Sequence, residues 1–331
     1  MRYEMKSTFP LIYGLKRKNY EKRLESQSGG AFSVLAEYFL KKGAVIYATG
    51  FDENLNVEYM RITDESELNK VKGSKYVRSN LNDTYKSIIE ELNCGQEVLF
   101  IGSACYVAGL KKAVENNPNA DLLYTVDFIC HGTPSHQVYK DYLQFVEKNK
   151  KKKIVGFNFR FKDIRGGGWK KHMEKIEYED GTVEITREYT DLFYSNLTLR
   201  PCCGSCPYAS TNRVADFTVG DYWGVEKHFP EFFDNAGVSL VFVNTPRAKG
   251  IFEDIKGECD IIETSIEKCM QKNLREPTDI PKDRQAFWKC YKKYGFETAL
   301  RRFTNYGFFY RFKRNSIRNI KHVVKKMIGR A

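Results

Sequence analysis

No stretch of this 331-residue sequence approaches the roughly 20 consecutive apolar residues that a membrane-spanning helix needs. The opening residues, Met1 to Lys18, hold no apolar core of the kind that directs export, so no signal peptide is expected and the chain is assigned to the cytoplasm. In that reducing compartment the nine cysteines read as thiols or ligands rather than disulfides. There is no internal repeat and no low-complexity segment. There is also no G-x-G-x-x-G turn and no recognised nucleic-acid motif. Basic charge alone gives only nonspecific nucleic-acid affinity, so no specific nucleic-acid partner is expected.

What is present is enough apolar material, 42% of residues, to bury a full core, read as two lobes. The aromatic share of 14% is high; it serves packing first and leaves rings for flat-ligand pockets. The net charge of +12 is concentrated locally. Residues 311–331 carry eight Lys or Arg and no acid, and Lys148 to Lys153 is five lysines in six positions. Such runs favour anionic partners, membrane lipid heads, nucleic acid or an acidic protein, with a solvated basic surface as the plain alternative.

The chain divides into four stretches, 1–27, 28–147, 148–258 and 259–331. The first reads as an arm with a short extended piece, Pro10 to Lys16. The second reads as an α/β lobe. In it Phe32, Leu35, Ala36, Phe39 and Leu40 fall at helical spacing, with Ser28 as N-cap and Gly43 as the stop. Gly29 and Gly30 at the helix start would let a phosphate approach exposed backbone N–H groups; a plain loop is the alternative. AVIYATGFD, EVLFI and LLYTVDFIC read as strands, and Asn82 or Asp83 caps a helix through Leu92. Between them Gly73-Ser74-Lys75-Tyr76 puts a cation and a ring on one loop, suited to a charged planar cofactor or to an ordinary surface.

The third stretch reads as a β-rich lobe. KIVGFNFRFKD and KHMEKIEYEDGTVEITRE are strands joined through Gly166 to Gly168 and an Asp180-Gly181 turn, followed by VADFTVGDYWG and GVSLVFVNT. From Cys259 onward the chain reads as helices, ending in a basic tail with a stripe of Ile317, Ile320, Val324 and Ile328. The expected class is α/β (α+β): a mixed sheet with flanking helices, a β-rich second lobe and a basic helical C-terminal tail.

Four cysteines stand apart from the rest. Cys105 follows the Gly102-Ser103-Ala104 turn at a strand-to-helix junction, where a helix N-terminus favours thiolate. Cys130 ends a strand and runs into His131-Gly132-Thr133-Pro134-Ser135. Both lie at strand carboxyl ends, where open α/β sheets bind ligands, although small core residues would look alike. Cys203 and Cys206 form a C-x-x-C in the turn-rich RPCCGSCPY. Four thiolates bind tetrahedral zinc or an iron–sulfur cluster. One local pair plus two distant singles leans toward the cluster and leaves both open. Cys202 competes with Cys203, whereas Cys94, Cys259, Cys269 and Cys290 read as structural.

The ordered set GSKY, GSAC-YVAGLKK, CHGTPS, FRFKD, RPCCGSCPY, ADFTVGDYWGVEK and GVSLVFVNT resembles the coenzyme F420 hydrogenase/dehydrogenase beta-subunit family, from about Tyr13 to about Phe252. That resemblance implies an iron–sulfur flavoprotein holding FAD and a [4Fe–4S] cluster, with coenzyme F420 as a hydride partner in some members. By motif, the cluster ligands fall on Cys105, Cys130, Cys203 and Cys206. The flavin-binding loops fall on Ser28, Gly29 and Gly30, on Gly73, Ser74, Lys75 and Tyr76, and on Gly102 and Ser103, with Asp216, Gly220 and Asp221 near the same cleft. The first cysteine here is Cys94, so the cysteine runs of the ferredoxin-like module that many relatives carry do not occur. Ala104 stands where relatives often have proline. Stand-alone bacterial relatives often accompany polysaccharide-synthesis enzymes.

Two functions follow as expectations. In the first, an oxidoreductase moves hydride between a small redox substrate and FAD, and electrons between the cluster and a redox partner protein, with Lys75 stabilising reduced flavin and His131 moving a proton. In the second, a cluster or zinc is structural and the 311–331 tail docks the protein at a membrane or a glycan-assembly complex.

Overall fold

The computed structural model describes residues 9–164, 168–304 and 306. Its strands are β1 (Leu11–Arg17), β2 (Val45–Phe51), β3 (Val57–Ile62), β4 (Val98–Ser103), β5 (Leu123–Phe128), β6 (Ile154–Asp163), β7 (Gly168–Tyr178), β8 (Val183–Thr186), β9 (Phe217–Asp221), β10 (Ser239–Val243) and β11 (Cys259–Glu263). The longer helices are α1 (Ala31–Lys41), α2 (Thr84–Asn93), α3 (Ala104–Ala113), α4 (His136–Lys150), α5 (Glu188–Tyr194), α6 (Pro246–Ile255) and α7 (Arg284–Phe303), the last broken at Gly295 (φ 82°).

Eight strands form one sheet in the order β11-β1-β10-β9-β5-β4-β2-β3. β2, β4, β5 and β9 run parallel, flanked by antiparallel neighbours on both sides. Every residue of β4 is buried, as a parallel strand covered on both faces requires. Side chains alternate between the two covers. Ile46, Ala48, Leu99, Ile101 and Val126 pack with α1 and α6, whereas Val45, Tyr47, Val98, Phe100 and Leu123 pack with α2 and α3. Helix α6 starts as its sequence dictates: the Thr245 side chain accepts from Ala248 N and Pro246 takes the first turn.

A second sheet, β6-β7-β8, encloses another core with α4, α5 and α7, built on Tyr139, Tyr142, Phe157, Phe159, Tyr189 and Phe287. The lysine run closes α4, with Lys151 in the left-handed region, and leads into β6.

The structure departs from the sequence reading in three places. Residues 11–17 are not an arm: β1 lies inside the sheet, paired on both edges. Residues 259–263 form a strand against β1 rather than a helix. The main sheet draws strands from all four stretches, because β9 and β10 return to pair with β5 and β1. The 311–331 tail and Gly166 lie outside the described residues. Among the described residues no helix is long and apolar enough to cross a membrane.

Candidate cofactor site

Because β4, β5 and β9 are adjacent and parallel, their carboxyl ends form one ledge. β4 ends at Ser103, two residues before Cys105, β5 ends two residues before Cys130, and β9 ends at Asp221. β1 points the same way, so the Ser28–Gly30 loop after it opens on the same edge, where Gly29 O accepts from Arg17 N at 2.8 Å.

The four cysteines of the sequence reading converge on this ledge. Cys105 sits exposed in the first turn of α3, its Sγ 3.2 Å from Ser103 Oγ. Burial pushes the Cys130 thiol up to about 12, and the charges of Cys203, Cys105 and Cys206 add to the rise, so all three lie within its electrostatic reach. The C-x-x-C occupies a 3-10 turn, Pro201–Ser205, stitched to the segment after Cys130. Arg200 N donates to Thr133 O at 3.0 Å, Pro134 bridges to Leu199, and Cys203 N donates to Arg200 O. Gly132 (φ 131°) makes the crossing: a Cβ there would stand 3.2 Å from Cys203 Cβ.

Arg213 fastens the far side of the same loop. Its Nη1 donates to Tyr208 O at 2.7 Å and to Ser210 O, just past Cys206, and Nε donates to Thr218 Oγ1. Its Nη2 reaches Phe128 O and stands 2.9 Å from the buried Asp127 Oδ1 on β5, just ahead of Cys130. The sequence signal for this clamp was an aspartate inside the apolar run LLYTVDFIC, which the sequence reading passed over.

Among the described residues no three His, Cys, Asp or Glu side chains are arranged to hold a single metal ion. A set of four thiols can hold a zinc ion or an iron–sulfur cluster. A Cys130 thiol this hard to ionise needs such a cation to take the thiolate form.

Beside the thiols lies the junction between the ledge and the small sheet. Arg160 of β6 reaches across it, with Nη1 donating to Asp221 Oδ2 at 2.5 Å and Nη2 to Trp169 O. The Trp169 and Trp223 rings stack at 4.8 Å, and the Arg160 guanidinium lies 5.4 Å from Trp223. Tyr76 stacks on Phe193 at 4.4 Å, and its hydroxyl meets Arg160 and Tyr194. Tyr194 Oη and His172 Nδ1 share a hydrogen bond at 2.7 Å; burial, then the charges of Arg160 and Arg187, push His172 down to about 3, so it stays neutral. Phe159 and Arg160 are both buried, which strict alternation forbids. A register break between Asn158 and Phe161 turns Arg160 toward Asp221. Arg160, His172, Tyr194, Trp169 and Trp223 were missed by sequence reasoning, which could have taken its cue from the cations alternating with phenylalanines in FNFRFKD.

Lys75 lies on the loop between the short helix Leu68–Val71 and α2, its Nζ 5.8 Å from the ring centroid of Phe51 at the end of β2. Its Nζ donates to Val71 O and Lys72 O only, and burial pushes it down to about 7. Lys162 spends its ammonium on Arg23 O, Ser28 O and Ala236 O, bolting β6 to the Ser28 loop. His131 is held at both ends. Asn196 Nδ2 donates to Asp279 O, so its Oδ1 faces His131 Nε2–H at 2.7 Å. Asn273 bonds the same ring, and burial lowers its pKa.

Several predicted positions have packing explanations of their own. Ser28 does not cap α1; its Oγ donates to Val238 O, and Gly30 (φ 94°) takes the cap position. Gly29 is required because a Cβ would fall 2.0 Å from Leu15 O. At Gly102 and Gly220 a Cβ would instead meet side-chain ends, Tyr59 Oη and Ile129 Cδ1, which can shift. Gly73 (φ 88°) turns the chain, and Ser74 follows it on that loop. Asp216 is the one that the structure takes out of the cleft. It precedes β9 at the opposite edge of the sheet, bound by Arg247 Nε and Nη2, Thr125 N and Oγ1, and Thr245 Oγ1.

The family model for the C terminus of the coenzyme F420 hydrogenase/dehydrogenase beta subunit matches residues 95–268, and the model for the N terminus of that subunit matches residues 13–86. No curated protein matches the chain. Among solved structures, a chain of the F420-reducing [NiFe] hydrogenase complex of Methanosarcina barkeri, in a xenon derivative, superposes with a TM-score of 0.54 at 16% identity, covering 82% of this chain and 96% of that one. That likeness is one of fold. The matched segments contain all four ledge cysteines and the Gly73–Tyr76 loop, and the chain is a redox protein belonging to the coenzyme F420 hydrogenase/dehydrogenase beta-subunit family.

Proposed function

We propose that the protein is an iron–sulfur flavoprotein oxidoreductase, with Cys105, Cys130, Cys203 and Cys206 holding a [4Fe–4S] cluster and the adjoining junction with the small sheet holding FAD. The observation that carries the reading is the electrostatic contact of Cys130 with three cysteines from two other segments, on the ledge where β4, β5 and β9 end. Flavin exchanges two electrons as hydride and releases them singly, and a cluster carries them one at a time; the protein supplies position and surroundings.

The residues divide the work as follows. The start of α1 behind Gly30, where Ala31 N already meets Ser239 Oγ at 3.5 Å, would offer its remaining backbone N–H groups to phosphate. Tyr76, Trp223 and Trp169 supply apolar ring faces, and the Arg160–Asp221 pair braces the junction. Lys75, with two of its three N–H donors spent on carbonyls, keeps one for an electron-rich ring edge. His131 is fixed by two asparagines and orients the turn after Cys130 rather than carrying protons. The substrate is a small molecule that exchanges hydride with flavin, such as a deazaflavin coenzyme.

The test is an absorption spectrum of protein purified without oxygen, with iron, sulfide, zinc and FAD assayed on the same sample. Flavin bands, a broad thiolate–iron shoulder and about four irons per chain are expected, the last falling away in Cys203→Ser. A colourless protein with zinc or no metal would overturn the reading.

A further inference from the structure

Past residue 268, where the match to the family model ends, the chain returns across the ledge before it enters α7. This strap, residues 271–283, holds one short helical turn, Lys272–Arg275, and then runs without regular structure through Pro277-Thr278-Asp279-Ile280-Pro281. The two prolines fix their own φ and confine Glu276 and Ile280 to extended backbone, so the piece between them is stiff. Its attachments fall on three ledge segments. Gln271 Nε2 donates to Asp221 O at the end of β9, at 3.1 Å. The buried Thr278 donates through Oγ1 to His131 O at 2.5 Å, one residue past Cys130, and accepts from Asn273 Nδ2. Asp279 O accepts from Asn196 Nδ2, and Arg284, the first residue of α7, donates through Nε and Nη2 to Leu199 O, so both grip the segment just ahead of the C-x-x-C.

Ile280 reaches the C-x-x-C itself. A Cβ on Gly204, between Cys203 and Cys206, would stand 2.3 Å from Ile280 Cγ1, so the isoleucine rests directly on the backbone of the turn. Gly204 has no left-handed φ, so the room it leaves for Ile280 is what calls for glycine there. On its other side Ile280 packs against the core of Tyr139, Phe157 and Tyr189. Exposure follows the same division: Cys130, Cys203 and Cys206 are half-buried, whereas Cys105 is exposed.

We propose that the 271–283 strap, through Thr278 and Ile280, holds the Cys130 and C-x-x-C segments in register and closes the C-x-x-C turn to water and small reagents. Thr278 and Ile280 are positioning residues, acting through the backbone that carries the thiols. Thr278 fixes the carbonyl just past Cys130, and Ile280 lays apolar surface over Gly204. The apolar shell of a metal site controls how solvent reaches it. Metal release, and attack on Cys203 or Cys206, then wait on a local lifting of the strap rather than on global unfolding. The metal-release part rests on the cluster reading above; the closing of Cys203 and Cys206 does not depend on it.

The test compares wild type, Ile280→Ala, Ile280→Val and Thr278→Val as full chains purified without oxygen, with iron, flavin and thermal midpoint measured on each. Iron release to excess EDTA is followed by absorbance. On metal-free samples, labelling by N-ethylmaleimide is timed cysteine by cysteine through peptide mass spectrometry. Ile280→Ala should release iron at least about tenfold faster than wild type, the low end of what loss of a metal site's supporting groups costs, and label faster at Cys203 and Cys206. Ile280→Val, which keeps most of the apolar cover, should stay close to wild type. Cys105, exposed already, is the internal reference and should keep its rate. Thr278→Val keeps the side-chain volume, should accelerate both readouts, and decides the matter if Ile280→Ala does not fold. Iron already lost from a folded variant counts as fast release. Unchanged release and labelling in a folded variant, or labelling that accelerates equally at Cys105, overturns the strap and leaves the cofactor reading intact. A wild type without iron overturns the cofactor reading, and labelling then decides alone: faster rates at Cys203 and Cys206 keep the strap, and unchanged rates overturn it.

Discussion

Arg160 Nη1 lies 2.5 Å from Asp221 Oδ2, joining the small sheet to the carboxyl end of β9. The two side chains are only 6% and 14% exposed. A buried pair of this kind is costly to break from one side, because the remaining charge has no partner. It also sits against the stacked Trp169 and Trp223.

Asp221→Ala is accordingly expected to lower stability by about 3–5 kcal/mol in a denaturant titration. Arg160→Met combined with Asp221→Leu should cost less than Asp221→Ala alone, since it removes both charges and keeps apolar volume. If the double variant proves the weaker of the two, the stranded-charge account of this pair is wrong.

The Arg213 clamp predicts a loss of metal per folded chain beside the loss of stability that a stranded Asp127 brings. Arg213→Leu frees the backbone of Tyr208 and Ser210 just past Cys206 and detaches it from β5. Iron per folded chain should fall to less than about half, as disturbance of the groups that orient ligands commonly does. Asp216→Asn is the comparison, because Asp216 is equally buried but at the opposite end of β9. It should lower the thermal midpoint and leave iron and flavin per folded chain unchanged. Burial works against ionisation of Asp216, but the Arg247 and Thr125 bonds outweigh it and hold the carboxyl below the ordinary range. Its contribution is thus complete above the ordinary aspartate pKa and is lost as pH falls through the lowered native value. The wild-type advantage over Asp216→Asn should shrink in acid.

Much of the site was readable because its ligands follow strands whose apolar runs declare themselves. VLFIGS and LLYTVDF are buried stretches ended by small or polar residues, so the places of Cys105 and Cys130 follow from strand direction alone. What the sequence hides is pairing between distant segments. Nothing local in LIYGLKR tells that it lies between β10 and β11, and CDIIE is too short to declare a strand until β1 supplies its partner. Asp216 and Asp221 look alike on paper; only the direction of β9 sends one to the ledge and the other to a structural knot with Arg247. Arg160 is invisible for a different reason, since a register break sets its direction and no periodic pattern encodes it.

Glycine substitutions separate packing from ligand approach. At Gly29 a new Cβ would meet the Leu15 carbonyl at 2.0 Å and Ser239 N at 2.5 Å, both backbone atoms that no rotamer can move. Gly29→Ala should cost at least the roughly 1–3 kcal/mol of an overpacked core, read as insoluble expression or a large fall in thermal midpoint. Gly73→Ala meets only Gln27 Nε2 at 3.5 Å, so its left-handed φ of 88° is the main penalty, about 1–2 kcal/mol. A soluble Gly29→Ala of normal stability would show that β1 and β10 do not hold this loop as described.

Lys75 links the site to pH. Its ammonium is buried with two carbonyls and no carboxylate, and burial pushes its pKa down to about 7. In the unfolded chain a lysine stays protonated to about pH 10.4. Between those values the unfolded state binds the extra proton, so the stability of cofactor-free protein rises with pH through that window, by at most about 1.4 kcal/mol per unit from this group. Below about pH 7 both states are protonated and the cost of burying the charge is fully present. Lys75→Met removes the charge, keeps the length of the stem and should flatten that rise. It should also be the more stable protein at pH 6 and lose its advantage by pH 9. Urea titrations of both proteins at pH 6, 7.5 and 9 read the difference directly, and parallel curves across that range would mean that Lys75 reaches water in the folded state.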